Sequence, residues 1–186
     1  MRLIIAAVIA GIVMFLWGAV SHMWLGIGDV GLKPMPNEAA VAAALKSNIN
    51  EPGLYVMPMM GIENPHRATK EQQEALAAKM TEGPTAMLIY RLTGEPISAK
   101  LLGVELASNI AAALVVGMIL SLGAVGFSRG VTISTLVGLA GWLSINVSYW
   151  NWYGFPTQFV TGELIDQIVS WLLAGFVLGF ILRRRP

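Results

Sequence analysis

Apolar residues crowd four stretches of this chain and thin out in the segment after the first. Leu3 to Ile27, Leu101 to Phe127, Val131 to Tyr149 and Leu164 to Leu182 are each long enough to cross a bilayer, because a hydrocarbon core of about 30 Å takes roughly 20 helical residues. Each is expected to form a membrane-spanning helix. The first run exceeds the apolar core of a signal peptide, and no small-residue cleavage pattern follows Trp24, so it reads as a retained helix.

The pattern changes between the first and second runs. Asn37 precedes EAAVAAALK, with Glu38 at the positive end of the expected helix and Lys46 in its last turn. Thr69 and Gln72 have capping-box spacing ahead of EALAAKM, and Gly83-Pro84 stops that run. GLYVMPM (53–59) and TAMLIYRL (85–92) carry β-branched and aromatic residues between Pro and Gly, and are expected to pair as two strands. The fold expected is a membrane all-α four-helix bundle: helix one in 1–27, a small α+β extracytoplasmic domain in 28–100, and helices two to four in 101–186 with an outer aromatic loop at 149–162. So small an inserted domain buries little by itself and is expected to lean on the helices or on a partner.

Composition agrees with lipid. Hydrophobic residues make up 55% and charged residues 12% of the chain, the latter about half the usual share. The net charge of +1 gives no basic surface for a nucleic acid, so that partner is excluded. Cysteine is absent, so no disulfide holds the inserted segment. Arg2, Arg129 and Arg183 to Arg185 flank the apolar runs on one side, whereas Trp150 to Gly162 carries no Lys or Arg. Both termini are therefore expected in the cytoplasm, and the seven basic residues of 28–100 do not oppose this, because long loops cross largely regardless of charge. YWNWYGFP (149–156) reads as an interfacial belt turning a corner, since Tyr and Trp collect where one end is dry and the other wet.

Three motifs resolve to ordinary readings. GIGDVG (26–31) has the glycine spacing of a dinucleotide fingerprint, but an apolar run precedes it and LKPMP follows where a helix should open. GFVLG (175–179) has the spacing that lets helix backbones approach closely, and is expected to pack within the bundle. Met57, Met59, Met60 and His66 offer soft copper(I) donors, yet methionine also fills gaps in apolar packing and is read so here.

The residues with most chemistry are scattered in sequence but share an expected depth. His22 ends helix one, Glu105 and Asn109 begin helix two, Asn146 and Asn151 end helix three, and Glu163, Asp166 and Gln167 begin helix four. Ionisable groups inside a membrane are costly and usually face a partner. Glu105 is expected to lie close to His22, with Asn109 one turn deeper and Tyr149, Trp150 and Asn151 forming a lid; Trp152 and Tyr153 belong to the same candidate binding set. Two readings follow from that set. In one, Glu163 and Asp166 are wet N-terminal residues favoured by the helix dipole, and Glu105 pairs with His22 or Lys100 for structural reasons. In the other, the set lines an outer-leaflet pocket for a metal, haem, quinone or lipid headgroup, although the residues name no cofactor and lack the Glu-x-x-His repeat of di-iron bundles.

FLWGAVSHM (15–23), EPGLYVMP (51–58), GPTAMLIYRLTGEP (83–96), LGVELASN (102–109) and SYWNWYGFP (148–156) resemble a group of small bacterial four-helix inner-membrane proteins of uncharacterised activity. That resemblance implies a bacterial inner membrane and no catalysis. The outline of four helices with a long first outer loop is also similar to claudin-like proteins, but the cysteine pair of a claudin loop is missing. The function expected is that of an accessory or scaffold protein presenting its outer domain and aromatic loop to a membrane-protein partner, a second copy or lipid. The alternative is a membrane-embedded enzyme or redox component using the polar pocket.

Overall fold

The computed structural model describes residues 1–183 apart from Glu63. In chain order the elements are α1 (Arg2–Met23), α2 (Glu38–Asn48), β1 (Gly53–Met57), α3 (Lys70–Glu82), β2 (Ala86–Tyr90), α4 (Ala99–Ser121), α5 (Phe127–Tyr153) and α6 (Thr157–Leu182), with short 3-10 turns at Ile27–Asp29 and Pro65–Arg67. Four of the six α-helices, α1, α4, α5 and α6, are long and apolar enough to cross a membrane. The chain divides into two compact units, one comprising Met1–Pro34 and Ile97–Pro186, the other Met35–Pro96.

In the long-helix unit α6 is shared: α5 packs along one side of it and α1 along another, while α4 packs on α1. Small residues make these contacts close. Gly130, Ser134 and Gly138 recur every four residues on α5 and meet Gly179, Gly175 and Trp171 of α6. A Cβ placed on Gly130 would stand 2.8 Å from Gly179 Cα, so the two backbones nearly touch, as the small-xxx-small spacing allows. The expected use of GFVLG within the fold is what Gly175 and Gly179 do. Gly11 of α1 lies equally close to Ile110 of α4, where a Cβ would be 2.6 Å from the Ile110 Cα. Around these seams Ala6, Ala10, Met14, Ala113, Val116, Trp171 and Leu178 form the buried core. The outward faces are apolar as well: Ile4, Leu16, Leu136 and Phe180 are each more than half exposed.

The boundaries near the aromatic run differ from expectation. Tyr149 to Tyr153 are the last helical residues of α5, not a loop, and α6 already begins at Thr157. The turn is only three residues, Gly154 to Pro156. Gly154 ends α5 in the left-handed conformation (φ 70°, ψ 27°), which costs glycine nothing. Tyr and Trp are tolerated in helices, so ring density alone did not mark a loop.

The second unit carries both expected strands, paired antiparallel with Leu54 opposite Ile89 and Val56 opposite Met87. The capping box of α3 is present: Gln72 N–H donates to Thr69 Oγ1 (3.3 Å) and Thr69 N–H to Gln72 Oε1 (2.9 Å). The cap expected from Asn37 is not made. Its backbone is left-handed (φ 50°, ψ 43°) and its side chain accepts nothing from α2, whereas a capping side chain needs an extended backbone beneath it.

Candidate functional site: the polar cluster opposite the termini

Two hydrogen bonds set the register of α1 against α6. Arg2 Nη2 donates to Ile181 O (2.6 Å) at one end, and Trp17 Nε1 donates to Asp166 O (3.3 Å) nearer the other. Continuing that antiparallel register, His22 falls level with the second turn of α6. Glu163 lies two residues from that level on α6, and Asp166 one turn further along the same helix. These three residues, from two helices, are what the fold brings together.

His22 is held locally. Its Nδ1 lies 2.8 Å from Ser21 Oγ and 3.0 Å from Gly18 O. A carbonyl can only accept, so Nδ1 donates to Gly18 O, and Nε2 takes no part in these local hydrogen bonds. The ring rests on Gly28, where any Cβ would collide with it. Two further glycines close the same corner: a Cβ on Gly31 would stand 2.7 Å from Phe159 N, and one on Gly162 3.2 Å from Ile27 O. Gly28 and Gly31 of GIGDVG are thus close-approach residues where the chain after α1 folds back onto α6.

Asp166 is the chemically exposed point of the cluster. Its Oδ1 is buried and is the one buried side-chain polar atom among the described residues without a hydrogen-bond partner. In one reading Glu163 and Asp166 are wet N-terminal residues of α6 favoured by the dipole. They lie six and nine residues into the helix, about 9 and 14 Å along it, beyond the first turn where the dipole acts, so that reading is corrected. Among the described residues no three His, Asp or Glu side chains converge as a metal site.

The expected pairing of His22 with Glu105 is also corrected. With Gly11 against Ile110 and Gly117 against Leu3, antiparallel register puts Glu105 level with about Leu16, not with His22. That is six residues short of His22, about 9 Å along the axis. Glu105 is exposed, as is every residue from Ala99 to Glu105, and no ion pair among the described residues includes it. Asn109 lies a turn further from the cluster, half-buried.

The aromatic residues form a string in place of a lid. Tyr149 stacks on Phe155 at 5.3 Å, meets Tyr153 edge-on at 5.8 Å, and Phe155 continues to Phe159 at 5.4 Å. Asn151 and Trp152 are exposed, and Asn146 is half-buried. Trp150 Nε1 donates to Thr157 Oγ1 (3.2 Å) and helps line a cleft of about 240 Å³ with Trp142, Val147, Val160 and Thr161. Trp142 and Trp17 were missed from the sequence. Each is an indole inside an apolar run, which must find an acceptor for its N–H; Trp142 finds Val160 O at 2.9 Å. Searches of family models, curated proteins and solved structures return no match for this chain.

Proposed function

We propose that the protein is a non-enzymatic accessory or scaffold component of a bacterial inner membrane, a four-helix bundle with both termini in the cytoplasm. In this reading it presents residues 35–96 to a protein partner on the far side. The exposed apolar faces of α1, α4, α5 and α6 support the membrane placement, since a water-soluble surface rarely leaves so many contiguous apolar side chains uncovered.

The observation that carries the accessory role is the lack of a core in the second unit. Not one described residue between 35 and 96 is buried, and neither α2 nor α3 packs to any extent on the other or on the sheet. One face of that sheet offers Leu54, Val56 and Ile89, exposed by 63%, 48% and 74%. Two strands without a covering layer are marginal in water, so a partner surface would complete the unit. Site-specific photo-crosslinking from position 89 in cells tests this, with Lys70 as an exposed polar control. A discrete protein adduct at 89 and none at 70 is expected. Absence of any adduct at 89, together with a monomer that purifies alone in mild detergent, would overturn the role.

A second reading rests on Asp166. A buried acceptor without a donor is the kind of group a bound ligand satisfies, so the embedded-enzyme or redox alternative keeps Asp166, Glu163 and His22 as its site and loses Glu105. An elemental and absorbance scan of the purified protein decides between the two, since a stoichiometric metal or chromophore would favour the alternative.

A further inference from the structure

Where both termini meet the long helices, α1, α5 and α6 leave a groove of about 420 Å³ lined by Ile9, Phe127, Phe176, Val177, Phe180 and Ile181. It is a size that holds a ligand, and its walls are apolar throughout. Phe127 and Phe176 stand with their rings 5.9 Å apart, and Phe176 and Phe180 remain 45% and 58% exposed. The groove therefore opens outward from the helices and is not part of their core.

Two arginines stand at the end of this groove. Arg2 reaches the carbonyl of Ile181, a groove residue, at 2.6 Å. Arg183 lies over the ring of Phe180, another groove residue, with Cζ 4.4 Å from its centroid. Neither is in an ion pair among the described residues. No acid stands near to neutralise them: on α1, α5 and α6 the acids are Glu163 and Asp166, and Asp166 is 17 residues from Arg183, about 25 Å of helix.

We propose that this groove binds one anionic phospholipid, an acyl chain lying against Phe176 and Phe180 and the phosphate meeting Arg2 and Arg183. The inference rests on the membrane placement proposed above. It commits to an amphiphile because the apolar walls and the uncompensated cations are adjacent, and to an anionic one because two guanidinium groups with no acidic partner favour phosphate. A zwitterionic lipid could fill the groove but would bring its own cation to the arginines.

The test begins with carbonate extraction of the membranes, which examines the placement alone: a protein released by carbonate would refute the membrane reading before any lipid is added. The retained protein is delipidated and equilibrated with detergent micelles holding equal phosphatidylglycerol and phosphatidylcholine, and bound lipid is counted by mass. Wild type is expected to hold phosphatidylglycerol in roughly tenfold preference, falling severalfold in Arg183→Gln and in Arg2→Gln. The Phe176→Ala, Phe180→Ala double variant should lose both lipids. Raising salt to about 0.5 M should shrink the wild-type preference, a measurement that needs no variant to fold. Equal binding of the two lipids, a preference indifferent to salt, or a preference unchanged by the arginine substitutions would each overturn the site, and so would full occupancy in the Phe variant.

Discussion

Adding a single methyl group at Gly130 should separate α5 from α6. A Cβ at this position would stand 2.8 Å from the Cα of Gly179, and that atom is backbone, which cannot rotate away. Carbon atoms rest at about 3.5–4.0 Å, so the helices must part by about 1 Å at this point. A gap of that size forfeits a quarter to a half of each dispersion contact along the seam, where Gly175 and Ser134 are already in close contact. Overpacking of this kind costs about 1–3 kcal/mol. Opposing it is the higher helix propensity of alanine, about 1 kcal/mol in water, so the comparison must be made against a second glycine on the same helix. Gly141 serves, because a Cβ there meets nothing within 4 Å. Gly130→Ala should therefore be less stable than Gly141→Ala by about 1–3 kcal/mol, read as the midpoint of unfolding of detergent-solubilised protein followed by helical circular dichroism. Equal stability of the two variants would show that the helices are not in backbone contact at Gly130, and the packing account of α5 and α6 would fail with it.

Asp166→Asn should hold or raise stability by up to about 1–3 kcal/mol, because it removes the ionisable group from a buried acceptor that lacks a partner; a large loss would show that the carboxylate has one. Glu105→Gln, on the exposed first turns of α4, should change the same unfolding midpoint by less than about 0.5 kcal/mol, and a larger change would restore the buried role this residue lacks. A reporter active only in the cytoplasm, fused after Pro186, should be active; silence would reverse the proposed orientation. At the start of α3, the hydrogen bond of Glu71 to its own backbone N–H, helped by the Thr69 hydroxyl, holds its carboxyl below the ordinary value of 4.5. A lowered value in the folded state means that its contribution is present above pH 4.5 and fades as pH falls through the folded value. Amide exchange over residues 70–73 should quicken relative to intrinsic rates in that acid range, and Glu71→Gln should abolish the change; an unchanged profile in the variant would refute the assignment.

Much of this fold could be read from the chain because its signals are local. Four apolar runs mark four long helices, Thr69 and Gln72 mark the start of α3, and Gly-Pro boundaries mark two strands that pair. The misreadings at the aromatic run and at Asn37 arose because residue type alone does not fix the backbone. The run YWNWY continues α5 because nothing stops a helix there until Gly154 adopts its left-handed conformation. Asn37 has the residue type of a cap, but its backbone angles are those of a turn and leave the amides of α2 to other partners.

The polar cluster shows the same division in sharper form. Its membership was half legible, because an ionisable residue within an apolar run stands out by its cost, and His22, Glu163 and Asp166 were found that way. Depth was not legible, because it depends on how far one helix slides along another, and apolar or small residues set that slide. Gly11 against Ile110 places Glu105 beside Leu16; Trp17 reaching Asp166 O places Asp166 well inside α6. The polar residues are passengers on a register fixed by glycine, alanine and an indole. It follows that a substitution at Gly11, which touches no ionisable group, should disturb the relation between α1 and α4 more than any exchange at Glu105, and that the chemistry at this end of the helices is governed from the seams beneath it.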